Sequence, residues 1–180
     1  QLGTKYYDLL AIHQAFELAK IRNQIELRNL NLNERNIELY QDMIAHIMFV
    51  SPIRRKYHEL LSENTQGQSK LWAYGISGDI PMVLASIKGT HEIDILEEVI
   101  KAHQYWRTKG LKVDLVLLNE DESSYYQPME ELLKEKVFTL YGGHILDQPG
   151  GIFIRNAAVI PKEVQILLYS VARLVLRGEE

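Results

Sequence analysis

Two apolar segments of strand length constrain the fold of this chain more than any other feature. Residues 80–87 are apolar apart from Ser86, and residues 113–118 form a second strand-length segment. Such segments are typical of strands that are buried on both faces. The residues between them carry a helical stripe, from Ile93 to Trp106, that Lys109-Gly110 closes. A strand–helix–strand unit of this size predicts two parallel strands joined by a right-handed crossover.

The first third of the chain has a helical pattern instead. Apolar residues recur at helical spacing over residues 9–28, and again over residues 33–49, where Asn33 is the predicted N-cap. Residues 53–61 predict a short basic helix. Residues 62–69 are polar and contain a glycine, which favours a loop.

The chain after the second strand continues the alternation of strand and helix. Residues 128–137 predict a helix, and residues 144–147 and 152–155 predict two short strands around a Pro-Gly-Gly turn. The last predicted helix begins at Pro161 and ends at Gly178, with an apolar stripe that reaches Val175.

These patterns predict the α/β class, with a small, mainly parallel sheet and flanking helices, preceded by a helical segment. The helical segment covers residues 1–66 and the α/β module covers residues 67–180, and we expect the two to form one compact domain. The chain begins with Gln1 rather than methionine, as expected of a piece cut from a longer protein, of a processed chain or of a sequence that lacks its leading residues.

Composition excludes several classes of protein. The chain has 20 Lys and Arg against 24 Asp and Glu, a net charge of −4, whereas a nucleic-acid-binding protein needs a basic surface. It has no cysteine, which excludes a disulfide scaffold, a thiol nucleophile and a cysteine-ligated zinc site. No apolar run approaches the length of a bilayer crossing, so we expect no membrane span in this segment.

The segment Gly75-Ile76-Ser77-Gly78-Asp79 is the first candidate site. It resembles a nucleophile elbow, but the last position is not glycine, and the segment precedes a strand instead of joining a strand to a following helix. Its glycines suit a tight turn whose exposed N–H groups could hold an anion such as phosphate. A structural turn that leads into the strand is the favoured interpretation. We keep Gly75, Ser77, Gly78 and Asp79 as candidates for substrate binding.

An acidic loop, residues 119–127, follows the second predicted strand. Ligands of open α/β sheets bind at the carboxyl ends of the strands. Asn119 and Glu120 could therefore bind sugar hydroxyls, and Tyr125 or Tyr126 could stack on a sugar ring. A solvated acidic loop with tyrosines used for packing fits these residues equally well.

The sequence lacks the usual motifs for cofactors and metals. Neither central strand is followed by a glycine-rich dinucleotide fingerprint, and no Walker sequence occurs. Without these motifs we expect no cofactor. The six histidines are scattered, without a pair at metal-binding spacing, so we also expect no metal site. His103 lies on an apolar helical stripe, which predicts a hydrogen-bonded core residue.

Two further features have open interpretations. The run Arg54-Arg55-Lys56 could touch phosphate or an anionic glycan, but such runs usually form a solvated helix face. Four aromatic residues could form a carbohydrate platform, although aromatic residues at this spacing are more often core. They are Trp72, Tyr74, Tyr105 and Trp106.

Residues 68–81, QSKLWAYGISGDIP, resemble a segment of the cyclic β-1,2-glucan synthases and the related 1,2-β-oligoglucan phosphorylases. Three further stretches are similar in the same order, namely residues 15–28, 102–120 and 150–153. The likeness covers most of the chain, whereas residues 53–64 match nothing in the family, which leaves the role of the basic run open.

The resemblance implies an activity for a longer parent enzyme. The family's phosphorylase part is of the glycoside hydrolase family 94 type and is built from β-sandwich domains and an (α/α)6 barrel. It transfers a glucosyl unit between a β-1,2-glucan end and inorganic phosphate, with inversion. In the synthases it lies beside a membrane-embedded glycosyltransferase, which implies a cytoplasmic segment of an enzyme anchored in the inner membrane. The general acid belongs to the barrel, so no catalytic residue carries over to this chain.

We therefore expect an accessory module without catalytic residues of its own, which docks to the neighbouring β-sandwich and barrel domains of its parent. Inorganic phosphate would be a co-substrate of the parent. One alternative is a module that binds β-1,2-glucan or phosphate. Another is a stand-alone α/β enzyme.

Overall fold

The computed structural model describes residues 34–48, 65–122 and 126–177 of the 180-residue chain. It confirms the predicted α/β class, because these residues form a four-stranded parallel sheet, in the order β3–β2–β1–β4, with helices on both faces. The helices and strands are α1 (Glu34–Met48), α2 (Thr65–Trp72), β1 (Met82–Ile87), α3 (Ile93–Thr108), β2 (Asp114–Asn119), α4 (Tyr126–Tyr141), β3 (Ile152–Asn156), α5 (Lys162–Val171) and β4 (Leu174–Arg177).

Strands β1 and β2 form the middle of the sheet, as the two apolar segments predict. All six residues of each strand are buried. They pair in parallel from Met82 opposite Asp114 to Ile87 opposite Asn119. Strand β3 adds to β2 and strand β4 adds to β1, so the carboxyl ends of all four strands lie at one edge of the sheet.

Helices α1, α3 and α4 share one hydrophobic core with the first face of the sheet. Trp106 of α3 is fully buried in it, and its indole N–H donates to the carbonyl oxygen of Tyr40 in α1 at 2.9 Å. The Tyr40 hydroxyl donates to the carboxylate of Glu98 at 2.6 Å. Helix α3 ends as predicted, since Gly110 has φ +80° just after it.

Helices α2 and α5 cover the second face of the sheet. Leu71 of α2 and Leu168 of α5 are buried against Leu84 of β1 in a second core. An ion pair between Lys70 and Glu163, with N and O atoms 3.0 Å apart, joins the two helices. The sheet therefore lies between two helical layers, as in doubly wound α/β folds.

The prediction of one helix from Pro161 to Gly178 is wrong, because Leu174–Arg177 form strand β4. Helix α5 ends at Val171, and the chain then joins the sheet beside β1. The N–H of Arg173 donates to the carbonyl oxygen of Met82 at 2.8 Å, which brings the two segments together. Leu174-Val175 continues the helical spacing of α5 without an intervening glycine or proline, so the pattern alone favours a longer helix.

Two smaller predictions are also wrong. Part of the loop predicted at residues 62–69 belongs to α2, which forms despite its polar sequence because Leu71 anchors it in the second core. The strand predicted at residues 144–147 is a 3₁₀ turn at Gly143–Ile145, after which Leu146 makes a single bridge to β3. The second strand of that predicted pair is β3.

Several predicted features lie outside the described residues. These are the helices at residues 9–28 and 53–61, together with the basic run Arg54-Arg55-Lys56. The predicted boundary between residues 66 and 67 falls within α2, and the division of the chain into two segments stays a prediction.

Candidate functional site

An open cleft with a volume of about 830 Å³ lies at the carboxyl edge of the sheet. The loops that follow β1 and β2, residues 157–160, and the first turn of α5 line it. Ligands of open parallel sheets bind at this edge, and the volume lies in the usual range of ligand pockets. Its charged and polar lining residues are Lys88, Glu120, Asp121, Glu122, Lys162 and Gln165.

Glu120, the first residue after β2, is held in place by three contacts. Its backbone N–H donates to the carbonyl oxygen of Ile87 at 2.7 Å, which ties it to the end of β1. The hydroxyl of Ser86 donates to carboxylate oxygen Oε2. The hydroxyl of Tyr169, in α5, lies 3.0 Å from both carboxylate oxygens. Two hydroxyl donors therefore orient one carboxylate at the surface of the cleft.

Strand β4 supports Tyr169 in turn. The guanidinium of Arg177 lies 4.6 Å from the centre of the Tyr169 ring, in a cation–π contact. Arg177 is the last residue of β4 and pairs with Ser86 in the sheet register. The arrangement around Glu120 therefore depends on the C-terminal strand that sequence patterns did not predict.

Each loop at the end of β1, β2 and β3 uses one of its own side chains to bind a backbone N–H. The three hydrogen bonds are Lys88 N–H to Glu92 Oε2 at 2.7 Å, Asp121 N–H to Asn119 Oδ1 at 3.0 Å, and Ala158 N–H to Asn156 Oδ1 at 2.9 Å. Free N–H groups of such loops are the donors that hold a phosphate in many α/β proteins. Here side-chain oxygens of the protein occupy three of the backbone donors at this edge, those of Lys88, Asp121 and Ala158.

The residues predicted to bind sugar after β2 have different positions. Glu120 lines the cleft, whereas Asn119 is only 2% exposed and its side-chain oxygen is bound within the loop. Asn119 thus shapes the loop. Tyr126 is the first residue of α4. Tyr125 and the predicted stacking of either tyrosine on a sugar lie outside the described part of the chain.

The glycine-flanked turn leads into the opposite end of β1. Gly75 and Gly78 both have φ +78°, a conformation that favours glycine. The carbonyl oxygen of Ser77 accepts the indole N–H of Trp72 at 2.9 Å, and its Oγ accepts the N–H of Asp79 at 3.3 Å. These are the contacts of a structural turn. The six-residue strand β1, about 20 Å long, separates the end of this turn from the carboxyl-edge cleft.

The four aromatic residues do not form a common carbohydrate platform. Tyr105 and Trp106 are buried in the core on the first face of the sheet. Trp72 is on the second face and is 56% exposed, and Tyr74 packs partly buried against the second core. Tyr105 and Trp106 are therefore core residues, as one of the two interpretations predicted. The prediction that the four aromatic residues form one carbohydrate platform is wrong.

His103 is a hydrogen-bonded core residue, as predicted. It is 1% exposed, and its Nε2 lies 2.8 Å from the carbonyl oxygen of Val113. Burial lowers the pKa of the imidazole to about 4, despite this hydrogen bond. Among the described residues, no three His, Asp or Glu side chains are grouped so that they could hold a metal ion.

Sequence reasoning missed two residues of the site, Ser86 and Tyr169. Ser86 interrupts the apolar run of β1, and that interruption was an available signal. Tyr169 carried no signal, because its role follows from the packing of α5 and β4 against the end of β1.

Comparisons with known proteins find a partial similarity to a glucan synthase. None of the described helices is long and apolar enough to cross a membrane. No protein-family model matches the chain. Over 158 residues the chain is 27% identical to the cyclic β-(1,2)-glucan synthase NdvB of Rhizobium meliloti (strain 1021). This stretch covers 87% of the chain but 6% of the synthase, so the chain is similar to one short segment of a much longer glucan synthase.

Proposed function

We propose that this chain is a non-catalytic module of a larger enzyme that synthesises or phosphorolyses β-1,2-glucan. The observation that carries the proposal is the 27% identity along 87% of the chain to a segment of a cyclic β-(1,2)-glucan synthase. In this proposal the module docks to neighbouring β-sandwich and (α/α)6-barrel domains of the parent. The catalytic acid of the family 94 type phosphorylase part then lies in the barrel.

The geometry of the cleft supports a binding role over a catalytic one. An inverting phosphorylase needs a carboxylic acid that presents a proton to the leaving oxygen. Glu120 instead accepts hydrogen bonds from the hydroxyls of Ser86 and Tyr169, so it is arranged as an acceptor. A carboxylate arranged in this way can accept a hydrogen bond from a hydroxyl group of a bound sugar.

An activity assay on the purified 180-residue chain tests this function. The chain is incubated with β-1,2-linked gluco-oligosaccharides and phosphate, and glucose 1-phosphate is measured, with an active glycoside phosphorylase as the positive control. We expect no glucose 1-phosphate from the chain. Release of glucose 1-phosphate by the purified chain would contradict the proposal, and loss of that release in Glu120→Gln would assign the chemistry to the cleft.

A second function, glucan binding by the module itself, is favoured by the cleft. It lies at the edge of the sheet where α/β proteins bind ligands, and it contains one oriented carboxylate. Such binding would keep a glucan chain close to the catalytic domains of the parent without any chemistry in the module.

A further inference from the structure

The cleft at the carboxyl edge of the sheet is lined by three carboxylates and two lysines, and one of the carboxylates, that of Glu120, is held by hydroxyl groups. We propose that it binds an uncharged ligand with neighbouring hydroxyl groups, that Glu120 accepts one of these hydroxyls, and that the cleft rejects phosphate. The proposal deepens the proposed function, on which the choice of a glucose-based ligand rests.

The first argument is the state of the backbone donors. Phosphate sites in α/β proteins use free N–H groups of the loops at this edge. In this protein the N–H groups of Lys88, Asp121 and Ala158 are bound by side-chain oxygens of their own loops. An incoming phosphate would have to displace the carboxylate of Glu92, a residue that is 7% exposed, to reach the N–H of Lys88.

The second argument is the charge of the lining. Three carboxylates, of Glu120, Asp121 and Glu122, line the cleft together with two lysines, Lys88 and Lys162. The sum of these formal charges is 2 − 3 = −1. The negative charge of the lining would repel a dianionic phosphate near Glu120, whereas a neutral sugar carries no net charge and is not repelled.

The third argument is the supply of acceptors. The single hydroxyl proton of Tyr169 is shared between Oε1 and Oε2 of Glu120, while Ser86 donates to Oε2 only. A carboxylate oxygen has two acceptor positions, so Oε1 keeps one for a ligand. The side-chain nitrogen of Gln165 donates to the carbonyl oxygens of Ala157 and Ile160, which leaves its amide oxygen as a further acceptor at the cleft. Two acceptors at one cleft suit a ligand with several hydroxyl donors.

The test is a set of calorimetric titrations of the purified chain with sophorose, cellobiose and sodium phosphate. We expect sophorose to bind, with a dissociation constant at least about tenfold below that of phosphate. Glu120→Gln should weaken sophorose binding at least about tenfold, because a charge-assisted hydrogen bond becomes a neutral one. Glu135→Gln, an exposed carboxylate on α4, is the matched control and should leave binding unchanged. Cellobiose, which is also an uncharged polyol, should bind more tightly than phosphate as well, and weaker binding of both sugars than of phosphate would contradict the proposal.

A second variant keeps the proposal testable if Glu120→Gln proves unstable. Tyr169→Phe removes one hydroxyl donor and retains the ring under Arg177, so we expect binding to weaken by about two- to fivefold. Binding of phosphate in preference to sugars would overturn the proposal, and so would sugar binding that neither variant changes, or no sugar binding at all. In the last case the proposed accessory function would stand, because the assay for glucose 1-phosphate tests it separately.

Discussion

Lowering the pH should destabilise this protein through His103. The imidazole is 1% exposed, and burial lowers its pKa to about 4 from the ordinary value of 6.5. The folded protein therefore keeps the ring neutral over a pH range in which the unfolded chain binds a proton. Because the unfolded state binds more protons in that range, the free energy of unfolding falls as the pH drops from 6.5 to 4.

The two pKa values set the size of this effect. The difference between them corresponds to a loss of about 3 kcal/mol in the free energy of unfolding once the pH is below both values. About 2 kcal/mol of this should be lost between pH 7 and pH 4.5. That loss is a large part of the roughly 5–15 kcal/mol that stabilises a typical domain. Asp114 acts in the opposite direction. Burial raises the pKa of its carboxyl, so its contribution is present at low pH and is lost as the pH rises through the folded-state pKa.

The assay is urea unfolding at pH 7 and pH 4.5, followed by the fluorescence of the buried Trp106. His103→Gln keeps an N–H donor for the Val113 carbonyl but cannot take up a proton, so it should lose about 2 kcal/mol less than the wild type over this range. The difference between the two proteins cancels the contribution of Asp114. His91→Gln, at a histidine whose side chain is 78% exposed, should behave like the wild type. Equal losses in the wild type and His103→Gln would refute the reasoning.

Three substitutions test the packing of the fold by chemical denaturation. Gly151→Ala should cost about 1–3 kcal/mol, because its Cβ would overlap the backbone oxygen of Ile145, and an unchanged midpoint would contradict that contact. Trp106→Phe should cost about 2–4 kcal/mol, because it leaves a cavity and removes the hydrogen bond from the indole N–H to Tyr40, so a loss below about 1 kcal/mol would contradict the described core. Lys70→Ala should cost less than about 1 kcal/mol, since its ion pair is exposed, and a larger loss would show that α2 depends on that pair.

The central part of the fold was predictable because it depends on local patterns. The unit β1–α3–β2 follows from two apolar segments and a helical stripe, and α1 follows from its spacing. Strand β4 was not predictable in this way. Leu174-Val175 satisfies the helical period equally well, and only the free edge of β1 makes a strand the better solution. Helix α2 likewise depends on tertiary contacts, through Leu71.

In the candidate site, too, only the part that depends on the order of the elements was predictable. The position of Glu120 follows from the rule that ligands bind at the carboxyl ends of parallel strands, which needs only the order of elements. The partners of Glu120 could not be predicted, because Ser86 and Tyr169 are 83 residues apart in the sequence and meet only through the packing of α5 and β4. The same rule placed Asn119 in the site. The structure uses that side chain to hold its own loop.

Amide chemical-shift mapping of the labelled chain with a β-1,2-linked gluco-oligosaccharide tests the central claim most directly, because it locates the ligand. The account predicts that shifts concentrate at the carboxyl edge, at Lys88, residues 120–122 and residues 157–158, and that phosphate at the same concentration does not produce them. Shifts centred on the Gly75–Asp79 turn at the other end of β1, or stronger shifts with phosphate than with sugar, would contradict it.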